Sequence, residues 1–192
     1  MLWWTMKKLR STSLDTRNQA IEELVALGPR AVDPLVQAIT SEGAAVTEAA
    51  QVALVRIGEP AVTPLLKALK TSHASGDIGL RMIQCMGLSR VLASIGGPAI
   101  PHLLIALKDN DKYVRWAAVG ALGLVRDPHL LEPLLELLND TDPMVRLSTA
   151  IAVGWAKDPR TIDALTSALQ DEDEDVRKAA AEALREMGAD AK

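Results

Sequence analysis

The side chains able to do chemistry are few and scattered. The 192-residue chain has three histidines and one cysteine. His73 sits in Thr71-Ser72-His73-Ala74-Ser75-Gly76, and His102 and His129 each open an apolar stretch. No two of them lie one helical turn apart, and a zinc site needs three or four converging ligands. Cys85 lies in the apolar run Arg81-Met82-Ile83-Gln84-Cys85-Met86. Such a cysteine behaves as a small hydrophobe, whereas a reactive thiolate needs nearby positive charge, which Arg81 one turn away would have to supply. A single cysteine excludes an intramolecular disulfide framework and a multi-cysteine metal cluster. The acidic run Asp171-Glu172-Asp173-Glu174-Asp175 lacks the central glycine and distal glutamate of a calcium loop. It suits a helix N-terminus, where the dipole favours negative charge. Gly96-Gly97-Pro98 follows no strand and precedes no Lys-Ser/Thr pair, so it is not a phosphate loop. No Ser/His/Asp set has the context of a triad. The expectation is a protein without catalytic residues, metal or cofactor.

The elements that position these residues are helices. Ala (29) and Leu (28) dominate, against no Phe and one Tyr. Both are strong helix formers, and strand-favouring residues are scarce apart from Val and Ile. With 48% hydrophobic and 24% charged residues, the composition is that of a folded chain. The fold class is all-α.

Charge is uneven along the chain. Residues 1–108 carry 11 Lys/Arg against 8 Asp/Glu, and residues 109–192 carry 10 against 17, for a net −4 overall. A dedicated nucleic-acid binder needs clustered Lys and Arg, so this balance argues against one. The start, Met1-Leu2-Trp3-Trp4-Thr5-Met6-Lys7-Lys8, lacks the order of a secretory signal. Nothing approaches about 18 consecutive apolar residues, so no membrane span is expected, and a cytoplasmic location is the default. Trp3, Trp4 and Met6, followed by Lys7, Lys8 and Arg10, either touch a membrane interface or cover the open end of the first helix pair. The covering role is the expectation.

The chain repeats. Asp111-x-x-Val114-Arg115 recurs as Asp142-x-x-Val145-Arg146 and as Asp173-x-x-Val176-Arg177, a spacing of 31. Ala121-Leu122-Gly123, Asp127-Pro128, Leu134 and Leu138 recur in the same register as Ala152-Val153-Gly154, Asp158-Pro159, Leu165 and Leu169. The first half carries a looser mark, Gly-x-x-Ala-(Val/Ile), at Gly28, Gly58 and Gly96. The leucines that follow (Leu35, Leu65, Leu103, Leu134 and Leu165) are spaced by 30, 38, 31 and 31. Each unit resolves into two helices. In the fourth, Asp111 is an N-cap, and Val114, Ala118, Ala121, Leu122 and Val125 form one face of a helix over 112–125. Asp127 caps a second helix with Pro128 in its first turn. Neither helix buries its apolar face alone, so units must stack.

These residues resemble the HEAT-like repeat family, in particular the short type named after phycobilisome lyase subunits. The shared pattern is Asp-x-x-Val-Arg-x-x-Ala-Ala-x-Ala-Leu-Gly, an Asp-Pro or Gly-x-Pro turn, then Pro-Leu-(Leu)-x-x-Leu. The best copies are Asp111 to Leu138 and Asp142 to Leu169. The resemblance implies a right-handed α-α superhelix, a HEAT-like solenoid over residues 1–192. Its repeats lie at about 12–41, 44–71, 77–109, 111–140 and 142–171, with a capping helix at 173–188. It further implies that the Asp-x-x-Val-Arg helices line the inner, concave surface. It also implies that Arg115, Arg146 and Arg177 form a structural ladder with neighbouring aspartates. The third unit, from Gly76 to Ile95, is about a turn too long. Thr16-Arg17 and Val46-Thr47 stand where Val-Arg is expected.

A solenoid scaffold hosts many functions, so outward positions of the inner helices must carry this one. The register makes the terminal helix polar there (Glu174, Asp175, Lys178, Glu182, Glu186). The fourth and fifth inner helices are apolar and aromatic instead, at Tyr113, Trp116, Met144, Leu147, Ile151 and Trp155. Such a patch marks an interaction surface, with Trp and Tyr as anchors, unless tight curvature buries it against the next helix. The expected function is therefore a non-catalytic scaffold binding a protein or peptide on this face, with the acidic end orienting a basic partner. The resemblance offers a rival, a subunit of a bilin lyase complex holding a tetrapyrrole in the aromatic concavity. A third reading is a nucleic-acid-binding solenoid. HEAT-type hydroxylases related to this family bind iron through His-Glu pairs, and none of the three histidines here precedes a glutamate. Self-association through the stripe or through Trp3 and Trp4 is a further expectation.

Overall fold

The computed structural model describes residues 2–41, 43–71 and 77–188. The described residues are helices joined by turns, and they fall into two compact units, Met1–His102 and Leu103–Lys192.

The first unit holds α1 (Leu2–Lys8), α2 (Leu14–Leu27), α3 (Val32–Ser41), α4 (Ala44–Ile57), α5 (Val62–Thr71) and α6 (Ile78–Ile95). The helix α7 (Ile100–Ala106) spans the boundary between the units, just after the stretch where the repeat spacing lengthens. The second unit continues with α8 (Lys112–Val125), α9 (Leu131–Leu135), α10 (Pro143–Ala156), α11 (Ile162–Ala168) and α12 (Glu174–Glu186). Within each unit the longer inner helices stack in order, α2 on α4 on α6, and α8 on α10 on α12.

The repeat motifs become specific turns. Each Gly-x-x-Ala or Asp-Pro motif is a short 3-10 turn rather than the first turn of the following α-helix, as at Glu59–Ala61 and Pro128–Leu130. Asp127 caps that turn, its carboxylate accepting from the His129 amide at 2.9 Å. In the first unit the preceding helix ends on a glycine with positive φ, such as Gly58 (φ 76°, ψ −134°), a conformation that a side chain would strain. In the second unit Arg126 (φ 55°) and Lys157 (φ 48°) take the left-handed position instead. Asp111, Asp142 and Asp173 each cap an inner helix, accepting from Tyr113, Met144 and Asp175 amides at 2.9, 3.0 and 2.9 Å.

The aligned leucines are core. Leu35, Leu65, Leu103 and Leu165 are fully buried, and Leu134 nearly so. The long third unit becomes the 18-residue α6, four residues longer than α4 and α8. By length and composition α6 is apolar enough to cross a membrane, with a mean hydropathy of 1.2. Arg81 and Arg90 interrupt it, and Cys85, Leu88, Ser89, Val91 and Leu92 pack into the unit's interior. Those five residues are its buried side, and Ile78, Leu80, Ile83 and Met86 form an exposed apolar side.

The N-terminal segment departs from expectation. α1 does pack on α2, with Thr5 bonded to Glu23 and 2% exposed, and Leu9, just past its end, is fully buried. Met6 is half-buried, but Trp3 and Trp4 are mostly open to solvent, at 68% and 64% exposed.

Candidate functional site

Three inner helices of the second unit form a grid with a period of 31. Its rows are Tyr113, Met144, Asp175; Trp116, Leu147, Lys178; Gly120, Ile151, Glu182; and Leu124, Trp155, Glu186. Close approach of the helices fixes this grid. A Cβ on Gly123 would lie 2.7 Å from the Ala152 Cβ, and one on Gly154 would lie 2.6 Å from the Ala183 Cβ. A hydrogen fits at either point and a methyl does not, so the neighbouring helices approach closely here.

The six residues singled out by sequence do share one stripe, but their exposure grades along it. Tyr113 is buried, with the Lys112 ammonium 5.5 Å over its ring. Trp116, Met144 and Leu147 are half-buried. Ile151 (38%) and Trp155 (44%) are open to solvent, and so is Leu124 (46%), which shares Trp155's row on α8. The open part of the stripe is therefore its C-terminal end. Gly120 contributes open space beside Ile151, since a Cβ there would meet nothing within 4 Å. Trp155 also borders a hollow of about 240 Å³, lined further by Gly123, Arg126, Pro128, Ala152 and Asp158.

The adjoining helix α12 differs in kind. Its row of Asp175, Lys178, Glu182 and Glu186 is exposed, and each charge has a local partner. Lys178 pairs with Glu174 at 2.7 Å, Glu182 pairs with Arg185, and Glu186 lies 3.5 Å from Lys157.

Away from the stripe, the arginine ladder has its carboxylate rungs at Arg115 and Arg146, while Arg177 bonds to the Asp171 and Glu172 carbonyls. Arg115 grips the Asp140 carboxylate with two bonds of 2.7 and 2.8 Å, and Arg146 grips Asp171 with two of 2.8 Å. The third guanidinium nitrogen donates to a carbonyl six residues back, from Arg115 to Asp109 (2.8 Å), Arg146 to Asp140 (2.9 Å) and Arg177 to Asp171 (2.7 Å). Arg17 makes the same bond to Ser11 at 2.7 Å, so the first repeat retains it although its motif reads Thr-Arg. Arg115 and Arg146 thus splint α8 and α10 to the turn before each and to the turn leading into the next inner helix, whereas Arg177 and Arg17 tie their helices to the preceding turn.

Electrostatics at the ladder follow from these contacts. Burial pushes the Asp140 carboxyl up, but hydrogen bonds from Arg115 and the Asp142 amide, with the charges of Arg115 and Arg146, hold it below its usual value. The Arg146 hydrogen bonds hold Asp171 low against burial. Carboxyls lowered in the folded state contribute stability above their unfolded pKa of about 4, and that contribution is lost as pH falls through their folded values. Urea denaturation midpoints should thus hold steady from neutral pH to about pH 5 and drop below about pH 4. Variants Asp140→Asn and Asp171→Asn should be less stable at neutral pH and show a shallower acid drop.

The remaining chemical candidates do not converge. His102 and His129 are exposed, and His73 lies outside the described residues. Among the described residues no group of three or more His, Cys, Asp or Glu side chains is placed to hold a metal ion. The acidic run is occupied by structure: Asp171 on Arg146, Asp173 capping α12, and Glu174 on Lys178. Cys85 is fully buried. In native protein it should react with a thiol reagent only at the rate of unfolding, and at once in denaturant.

The first unit has a face that sequence reasoning missed. A groove of about 670 Å³ runs between α4 and α6, lined among others by Ile39, Gln51, Leu80, Ile83, Met86 and Arg90. Beside it, Arg56 and Glu22 join α4 to α2 through two bonds of 2.5 and 2.8 Å. The lengthened third repeat hid the register that would have placed Ile83 and Met86 in an outward row.

A family model of HEAT repeats matches residues 4–78 and 100–189. No curated protein matches the chain in sequence. Among solved structures, human deoxyhypusine hydroxylase in complex with glycerol aligns with a TM-score of 0.51 at 18% identity, over 97% of this chain and 84% of that one. An engineered protein aligns at 0.49 and 20% identity, over 98% and 96% of the two chains. A designed armadillo repeat protein in complex with the peptide (KR)4 aligns at 0.47 and 18% identity, over 97% and 99%. At these identities the likeness is one of fold. The tandem Asp-x-x-Val-Arg helices, the arginine ladder they carry and the family match over most of the length agree: this chain belongs to the HEAT-repeat family.

Proposed function

We propose that this HEAT-repeat chain is a non-catalytic scaffold that binds a protein or peptide on the inner-helix face of its second unit. The observation that carries this reading is the open cluster of Leu124, Ile151 and Trp155, set against a polar α12 in the same rows. Ile151 and Trp155 are the anchors. Trp116, Met144 and Leu147 form the half-buried floor, and Tyr113 backs it from within. Aromatic anchors beside a hollow are where binding energy concentrates, and each is worth about 2 kcal/mol or more when truncated in a partner complex. The scatter of the histidines and the burial of Cys85 support the non-catalytic part of the proposal.

The test is a displayed-peptide library selected on the wild-type chain and counter-selected on Ile151→Ser/Trp155→Ser. Enrichment of peptides that bind only the wild type supports the reading, and binders that ignore the substitutions refute it. Trp155→Ala alone should change unfolding stability by less than about 1 kcal/mol, because the ring is half open to solvent, while weakening such a peptide by about 30-fold or more. Chemical denaturation and fluorescence anisotropy read the two effects separately.

A further inference from the structure

We propose that the outer face of α1 is a docking surface for an anionic lipid bilayer. The helix is oriented by small contacts, not by its largest side chains. Thr5, which faces Glu23 of α2, and Leu9, one turn on, are 2% and 0% exposed. The Thr5 hydroxyl donates to the Glu23 carboxylate at 3.0 Å, and the Lys8 ammonium donates to the same carboxylate at 2.8 Å. Those bonds fix the rotation of α1 and turn both indoles outward. Trp3 and Trp4 stand edge to face with centroids 5.4 Å apart, at 68% and 64% exposure. The Lys7 ammonium lies 5.5 and 5.6 Å from their two ring centroids.

The chemistry of this face selects its occupant. Residues 2–14 contain Lys7, Lys8 and Arg10 and no Asp or Glu, and with Lys8 paired to Glu23 the outward charge is that of Lys7 and Arg10. Paired indoles flanked by cations match the boundary between headgroups and acyl chains, where ring bodies sink and polar tips and ammonium groups stay with phosphates. The whole first unit carries 10 Lys/Arg against 8 Asp/Glu, so its net charge does not oppose approach to a negative surface. Two indoles on a short helix give only shallow, reversible attachment, so attraction to anionic headgroups must supply the rest. Binding is accordingly weak, salt-sensitive and specific for negative bilayers.

The experiment is co-sedimentation of the full chain with phosphatidylcholine vesicles, with and without phosphatidylserine. The wild type should pellet with the phosphatidylserine vesicles, be released by high salt and show little affinity for phosphatidylcholine alone. Trp3→Ala/Trp4→Ala should weaken pelleting by about tenfold or more, and Lys7→Glu by about fivefold or more. Both variants alter exposed side chains, so their melting temperatures should match the wild type. The vesicle-induced blue shift of tryptophan emission should vanish in the double variant, which retains Trp116 and Trp155. No pelleting with phosphatidylserine vesicles would overturn the proposal, as would pelleting unaffected by the double variant. A concentration-dependent dimer abolished by that variant, without vesicle binding, would assign the face to a second copy of the chain instead.

Discussion

Replacing Arg146 by alanine should lower the unfolding free energy by about 3–4 kcal/mol. The side chain is 7% exposed, and its guanidinium makes bonds to Asp171, Glu172 and the Asp140 carbonyl. Removing it strands the Asp171 carboxylate, itself only 10% exposed, beside a carbonyl that has lost a donor. Breaking a buried pair by deleting one partner costs more than the pair contributes net, because the remaining charge keeps its desolvation penalty. Arg146→Lys should recover only part of the loss, since one ammonium cannot reproduce a two-pronged grip and a carbonyl bond together. Arg160→Ala is the control. Its pair with Asp158 is also short, at 2.8 Å, but the arginine is 51% exposed and solvent screens the pair, so its loss should be much the smaller of the two. Urea titrations of the three variants measure this ordering.

Gly154→Ala should destabilise the second unit by about 1–3 kcal/mol, even though alanine is the better helix former. The new methyl would lie 2.6 Å from the Ala183 Cβ and 3.4 Å from its Cα. Those atoms are rigidly attached to α12, so relief requires the helices α10 and α12 to separate. The compensating change is specific: Gly154→Ala with Ala183→Gly moves the methyl across the same gap and should restore most of the loss. Gly120→Ala provides the opposite sign. Nothing lies within 4 Å of a Cβ there, so the helix-propensity gain of up to about 1 kcal/mol should appear. A pair of glycine-to-alanine changes on adjacent inner helices that move stability in opposite directions separates close packing from propensity.

Much of the fold is written locally. The Asp-x-x-Val-Arg motif specifies its own cap, its own buried valine and its own arginine bond. A helix over 112–125 therefore follows from the residues alone, and α8 occupies those positions. The reach of Arg115 to Asp140 is 25 residues, yet it repeats as Arg146 to Asp171, and a period of 31 makes both visible in sequence. What the sequence does not show is exposure. Tyr113 and Trp155 belong to one stripe by register, but one is buried and the other open, because exposure depends on how neighbouring elements cover each end of the stripe. The tryptophans of α1 illustrate the same limit. Size and hydrophobicity suggest that they cover the helix pair. Instead the Thr5 and Lys8 bonds to Glu23 set the rotation of the helix, and a hydrogen-bonding choice of that kind leaves no periodic signature. In the first unit, the four extra residues of α6 shift the register, which is why Ile83 and Met86 escaped notice.

The most direct measurement of the binding role is the affinity of one library-selected peptide for the wild type and for Ile151→Ser/Trp155→Ser, taken alongside the unfolding stability of both proteins. The proposed surface predicts a loss of affinity of about 100-fold or more, with stability changed by no more than about 1–2 kcal/mol. Unchanged affinity, or a stability loss of about 4 kcal/mol or more, would make Ile151 and Trp155 packing residues and contradict their role as the partner-binding face.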